Sequence, residues 1–211
     1  MVTLSKKLKN AAQVAIKNGD KRKVLQNIYM DPCYIYATDG HLLYRGWHDL
    51  NIKKSMLADL SEAKKGKLTL KECQEEKYLN LYRIVPKYDS NYTIKIKVSE
   101  LLTAAKSIET FLKGSDDRSC ELSFKRENGL ISLRARNGGG FIRLGVENDM
   151  SEISSKNGFS IYFDPALLVR ALRGFSKKEI ILMDFYGPLK PFTIKDITGE
   201  QLFLIAPMRK F

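Results

Sequence analysis

The sequence predicts an α+β fold: two successive domains, each with helices packed on one face of an antiparallel sheet. Three observations predict it. Four segments carry apolar residues at helical spacing, and the stretches between them read as strands. Each half of the chain also runs in the order helix, strands, helix, strands, a weak internal repeat. A polar stretch at Lys87 to Asn91 separates the halves and puts the domains at residues 1–88 and 92–211.

The first helix spans about Thr3 to Asn18, where Leu4, Leu8, Ala11, Ala12, Ala15 and Ile16 recur at three and four. Val24 to Met30, Cys33 to Thr38 and Leu42 to Trp47 follow as a strand meander. A weaker stripe of Met56, Leu57, Leu60 and Ala63 predicts a second helix over about Ser55 to Lys65. Tyr78 to Val85, apolar and aromatic, reads as a strand. The third helix runs from about Ser99, its N-cap, to Lys113, with Gly114 as its stop. Leu101, Leu102, Ala105, Ile108 and Leu112 form its stripe. Cys120 to Lys125 and Leu130 to Arg136 alternate around Glu127-Asn128-Gly129, a hairpin signal. The fourth helix covers Pro165 to Phe175, capped by Asp164, with Pro165 at the first helical position. Phe141 to Val146, Phe159 to Phe163, Glu179 to Phe185, Phe192 to Lys195 and Gln201 to Ala206 complete the strands, and Gly138-Gly139-Gly140 is a turn.

Bulk properties narrow the function. The chain has 211 residues, a formal net charge of +12 and a pI near 9.5. Such an excess attracts polyanions, nucleic acid first and anionic membrane second. No apolar run approaches the roughly 20 residues that span a bilayer, and the N-terminus lacks a signal-peptide core, so an intracellular, cytoplasmic protein with no membrane partner is expected. Cys33, Cys73 and Cys120 are widely spaced and odd in number, which argues against a disulfide framework or zinc site. With only His41 and His48 as histidines, no metal and no cofactor are expected. Asp39 and His41 lack a paired serine or cysteine nucleophile, and Asn137-Gly138-Gly139-Gly140 lacks the lysine of a phosphate loop. No catalytic residues are assigned, and the chain does not read as an enzyme. Trp47 is expected to be buried.

The positive charge is patterned. Lys6, Lys9, Gln13 and Lys17 lie opposite the first apolar stripe, and Arg170, Arg173 and Lys177 do the same on the fourth helix. Lys106 and Lys113 share a face of the third, and the second ends near Lys64. These cations point away from the sheet. They read as a phosphate-facing surface that neutralises a duplex without reading bases. The plainer reading is a solvated face on a basic protein.

Two further segments carry a resemblance. Ala37-Thr38-Asp39-Gly40-His41-Leu42-Leu43 is similar to the A-T-D-G-H-R-L of the bacterial DNA polymerase III beta subunit, the sliding clamp, and the apolar C-terminal run Phe203 to Phe211, F-L-I-A-P-M-R-K-F, resembles that family's closing V-V-M-P-M-R-L. Leu81-Tyr82-Arg83-Ile84-Val85-Pro86 resembles its Y-R-R-V-L-P, and Phe163-Asp164-Pro165-Ala166-Leu167 its F-N-x-x-Y. Coverage is nearly the whole chain, but only the family's middle and last domains are matched, the first of them shortened. The resemblance implies a DNA-clamp fold with helices lining a central hole. It also implies a cleft that binds short peptides of DNA polymerase and clamp loader. The cleft residues it implies are Leu25, Thr38, Gly40, His41, Leu42, Leu43, Arg83, Ile84, Asp164, Leu167, Leu189, Pro191, Leu204, Ile205, Ala206, Pro207, Met208 and Arg209. The plainer alternative makes these ordinary core strand residues. Leu42, Ala206 and Leu167 stand where the family has arginine, methionine and tyrosine, which makes the pocket less polar.

Two domains per chain imply a homo-oligomer, a trimeric ring ahead of a monomer or dimer. The implied function is a processivity factor on double-stranded DNA, in a bacterial cytoplasm and in a form that looks phage-encoded. The alternative is a monomeric clamp mimic that sequesters clamp-binding peptides without encircling DNA.

Overall fold

The computed structural model describes residues 6–15, 23–59, 69–73, 81–125, 130–136, 140–148 and 159–209. The chain divides into two units, Met1–Lys87 with Thr198–Phe203, and Tyr88–Ile197 with Leu204–Phe211. Both are α+β with antiparallel strands.

In the first unit, α1 (Lys6–Ala15) buries Leu8, Ala11 and Val14, three apart, as an amphipathic helix should. It packs on β1 (Ile28–Met30), β2 (Tyr34–Thr38) and β3 (Leu42–Trp47). The sheet continues outward from β1 through β4 (Met56–Asp59) to β5 (Thr69–Glu72). On the other side of β3 lies the start of β14 (Gln201–Ile205). One buried polar group sits under the helix: Asn10 donates to Gln201 Oε1 at 3.0 Å, and the Tyr44 hydroxyl lies 3.3 Å from the same oxygen. A buried amide is tolerated when it is paired in this way.

Four expectations change here. Met56–Asp59 is a strand rather than the start of a helix, because it pairs antiparallel with β1 in the register Ile28↔Ala58 and Met30↔Met56. Its short apolar stripe suited either period, and an open strand edge decided it. Residues 60–65 of that expected helix lie outside the described residues. Lys23–Gln26 is a 3-10 turn, so the first strand is shorter than predicted, and Leu81–Arg83 is a second such turn where a strand was expected. Trp47 is 41% exposed, not buried, because it ends β3 on the face away from Tyr44 and Gly46.

The second unit holds two sheets. One orders β10 (Glu147–Asn148), β6 (Tyr92–Lys97), β12 (Ile180–Phe185) and β13 (Phe192–Asp196), followed by the end of β14. The other orders β11 (Phe159–Phe163), β7 (Cys120–Lys125), β8 (Leu130–Ala135) and β9 (Gly140–Gly145). Strand β6 was missed in the sequence, although Tyr92, Ile94 and Ile96 alternate with Thr93, Lys95 and Lys97. The helix α2 (Val98–Phe111) packs on β6, β8 and β9, and lies beside α3 (Pro165–Leu172). Lys97, not Ser99, is the N-cap of α2, and no side chain caps it. The N-cap of α3 is Asp164, whose carboxylate accepts from the Ala166 N–H at 2.8 Å.

Aromatic rings build this core. Tyr92, Phe124, Phe159, Phe185 and Phe192 contact one another in a chain with centroids 5.0–6.1 Å apart. Each such pair contributes about 0.5–1.5 kcal/mol beyond its buried area.

Candidate functional site

The β2–β3 hairpin turn is held by its own side chains. Asp39 Oδ1 accepts from the N–H groups of His41 and Leu42 at 2.9 and 2.8 Å. The Thr38 hydroxyl donates to the Leu42 carbonyl at 2.9 Å and accepts from the Gly40 N–H at 3.1 Å. Gly40 has φ +90, a left-handed conformation that glycine adopts without steric cost. Asp39 Oδ1 therefore serves the backbone of the turn. The turn projects Gly40 and His41 into solvent, while Thr38, Leu42 and Leu43 are buried. Leu25 is also buried, and Arg83 and Ile84 are exposed.

The second group of residues lies in the second unit. Leu204 and Ile205 are buried strand residues, and Ala206 and Pro207 are half-buried. Beyond them the chain stays ordered by pairing: the Met208 N–H donates to the Tyr162 carbonyl of β11 at 2.7 Å. The Met208 side chain is 39% exposed, and Arg209 is exposed. Asp164, Leu167 and Pro191 are half-buried, whereas Leu189 stands 69% exposed beside Gly187, whose φ is +143. The tail thus offers an open thioether and a cation, and the 187–191 loop offers an open leucine.

Of the cations expected to face DNA, Lys6 and Lys9 are exposed on α1. In the second unit Lys106, Lys113, Arg173 and Lys177 are exposed, and Arg170 is half-buried. They ride on the adjoining helices α2 and α3 or on the turns that follow them. Lys17 and Lys64 lie outside the described residues. The exposed face of α2 is mixed, since Glu100 is exposed and Thr103 and Ser107 spend their hydroxyls on the carbonyls four residues back.

Among the described residues, no group of three His, Cys, Asp or Glu side chains could hold a metal, and no helix is long and apolar enough to cross a membrane. Cys120 is buried, which pushes its thiol up to about 12 and keeps it protonated.

No family model and no curated protein sequence matches this chain. Solved structures do. The beta sliding clamp of Caulobacter crescentus superposes with a TM-score of 0.77 at 16% identity, over 97% of this chain and 63% of that one. The DNA polymerase III beta subunit of Thermotoga maritima gives 0.77 at 16%, over 98% and 63%. The fold is that of a bacterial beta sliding clamp. The sliding clamp of Bacillus subtilis agrees, with 0.74 at 19% identity over 98% of this chain and 62% of that one. The chain therefore spans less than two thirds of the length of these clamps, a shortened clamp fold.

Proposed function

We propose that the chain is a DNA sliding clamp: a processivity factor without chemistry of its own that surrounds duplex DNA and tethers replication proteins. The observation that carries this reading is the clamp fold over 97% of the chain, reached at only 16% identity. Physics of the surface supports it. The helices turn lysines and arginines outward, and such side chains bind backbone phosphate without base readout. The domains expected at residues 1–88 and 92–211 then act as clamp domains, and three chains supply the six domains of a ring, head to tail.

The tether is a short apolar peptide of a polymerase or loader. In the second unit its candidate contacts are the exposed tail residues Met208 and Arg209, with Leu189, Leu167 and Pro191 as apolar rim; in the first unit the exposed turn residues Gly40 and His41 are candidates of their own. Methionine suits a site that accepts several partners. Holding a polymerase by such a peptide raises its effective concentration on the template without any new catalytic group. The protein would act in the cytoplasm of a bacterial cell, as a phage-encoded or host product.

The test separates this from a monomeric clamp mimic. Sedimentation at micromolar concentration should show a species near three times the mass of one chain. After loading, the protein should stay on nicked circular DNA and be lost when the circle is linearised. A single-chain species that binds clamp-motif peptides and is never retained on circles would establish the mimic instead.

A further inference from the structure

The β11–β7–β8–β9 sheet of the second unit has two unlike faces. One is the core: Leu122, Phe124, Ile131, Leu133 and Ala135 are buried, and α2 packs on β8 and β9 on that side. The opposite face carries the alternate residues. Across it, Arg134 pairs with Phe141 and Ser132 with Arg143. Phe141 is 53% exposed, an unusual position for a phenylalanine on a strand. The Arg143 guanidinium stands 5.0 Å from its ring centroid and that of Arg134 5.7 Å. Both arginines are exposed, and neither guanidinium has a hydrogen bond or ion pair among the described residues. Arg136, by contrast, is ion-paired with Asp117 at 3.5 Å. Among the described residues of these strands, Glu121, opposite Arg134 on β7, is the acidic group of this face, and it is half-buried.

An exposed ring with two exposed guanidiniums near it, neither hydrogen-bonded nor ion-paired among the described residues, matches one ligand chemistry closely. A flat π system can replace one guanidinium over the Phe141 ring, and the displaced arginine and its neighbour can then take anionic groups on either side of it. A nucleotide chain supplies both, a base between successive phosphates. Duplex DNA does not, because its bases are already stacked. An acidic peptide supplies the charge but no ring to stack. We infer that this outer sheet face binds single-stranded nucleic acid, one base on Phe141 and flanking phosphates on Arg134 and Arg143. The site lies on the side of its sheet opposite α2, so it is separate from the helical cations assigned to duplex DNA. Stacking on Phe141 reads no base edge, so this contact is sequence-tolerant.

Fluorescence anisotropy of a labelled oligothymidylate of about 12 nucleotides, within the usual site sizes of single-strand binders, tests this. Phe141→Ala should weaken binding about tenfold, through loss of stacking, with an unchanged salt slope. Arg134→Gln with Arg143→Gln should lower the slope of log affinity against log salt by about 1.4, two contacts at about 0.7 each. Phe141→Ala should leave the affinity for a duplex of the same length unchanged. Thermal unfolding by circular dichroism should match the parent for every variant, since the altered side chains are exposed. Unchanged oligothymidylate affinity in Phe141→Ala overturns the inference. So does displacement of the oligonucleotide by a polyglutamate peptide at equal charge, which would make the face an acidic-peptide surface.

Discussion

The β2–β3 turn of the first unit and the C-terminal tail of the second were both expected to bind peptide, and they are built in opposite ways. The turn is a local device. Within Thr38–Leu43, side chains satisfy backbone groups two to four residues away, and one glycine supplies the left-handed backbone. The tail is a distant device: Met208 is anchored by a strand 46 positions earlier in the sequence, through its N–H to the Tyr162 carbonyl. Their side chains differ too. Leu43 is 2% exposed, and Met208 is 39% exposed. Two positions of the same expected role therefore differ in place: Leu43 packs in the core, and Met208 is open to solvent.

The largest effect should come from testing that difference directly. Leu43→Asp places an unpaired charge in a buried site and should cost about 3–5 kcal/mol in urea unfolding. A loss below about 1 kcal/mol would mean that Leu43 is as accessible as the tail. Gly40→Val comes next. A Cβ there meets nothing within 4 Å, so the cost is the left-handed backbone alone, about 1–2 kcal/mol, and Gly40→Asn should cost less. Asp39→Ala removes two short hydrogen bonds of the turn and should cost about 1 kcal/mol. Equal stability of parent and variant would transfer the turn's rigidity to its neighbours. Met208→Asp should move stability by less than about 0.5 kcal/mol while abolishing binding of a clamp-motif peptide in calorimetry. Retained peptide binding would remove the tail from the site.

The smallest effect concerns a similar Asp-led turn in the second unit. Donation from the Ser119 hydroxyl, and then from its N–H, holds the Asp117 carboxyl below its usual range. Its folded value is thus lower than its unfolded one. The stabilisation is present above the ordinary carboxylate range and disappears as pH falls through the folded value. Ser119→Ala should therefore lower the melting temperature at neutral pH, with the gap from the parent narrowing in acid. A gap independent of pH would assign the loss to packing at Ser119.

Much of this was legible in the chain, and the illegible parts share a cause. Asp164 and Pro165 mark the start of α3 by local chemistry, and the structure puts the cap there. The stripe of α1 needs only a period. Met56–Asp59 failed because a run of three apolar residues fits two periods, and the partner strand that chose between them lies at Ile28–Met30. The cleft residues were assigned by pattern, and a pattern does not tell a buried Leu43 from an open Met208. Phe141 shows the same limit. Its alternation marked a strand, while nothing local marked which face of β9 would meet α2 and which would be left to solvent.

Periodicity, capping chemistry and the Thr38–Leu43 turn are encoded within a few residues, where steric limits and nearest hydrogen bonds decide the outcome, so the amino-acid order determined them. The side facing solvent, the anchoring of the tail on β11, and the pair of guanidiniums around an exposed ring depend on partners brought together from distant positions. Those were decided by tertiary packing, because burial is a property of what covers a residue and not of the residue itself.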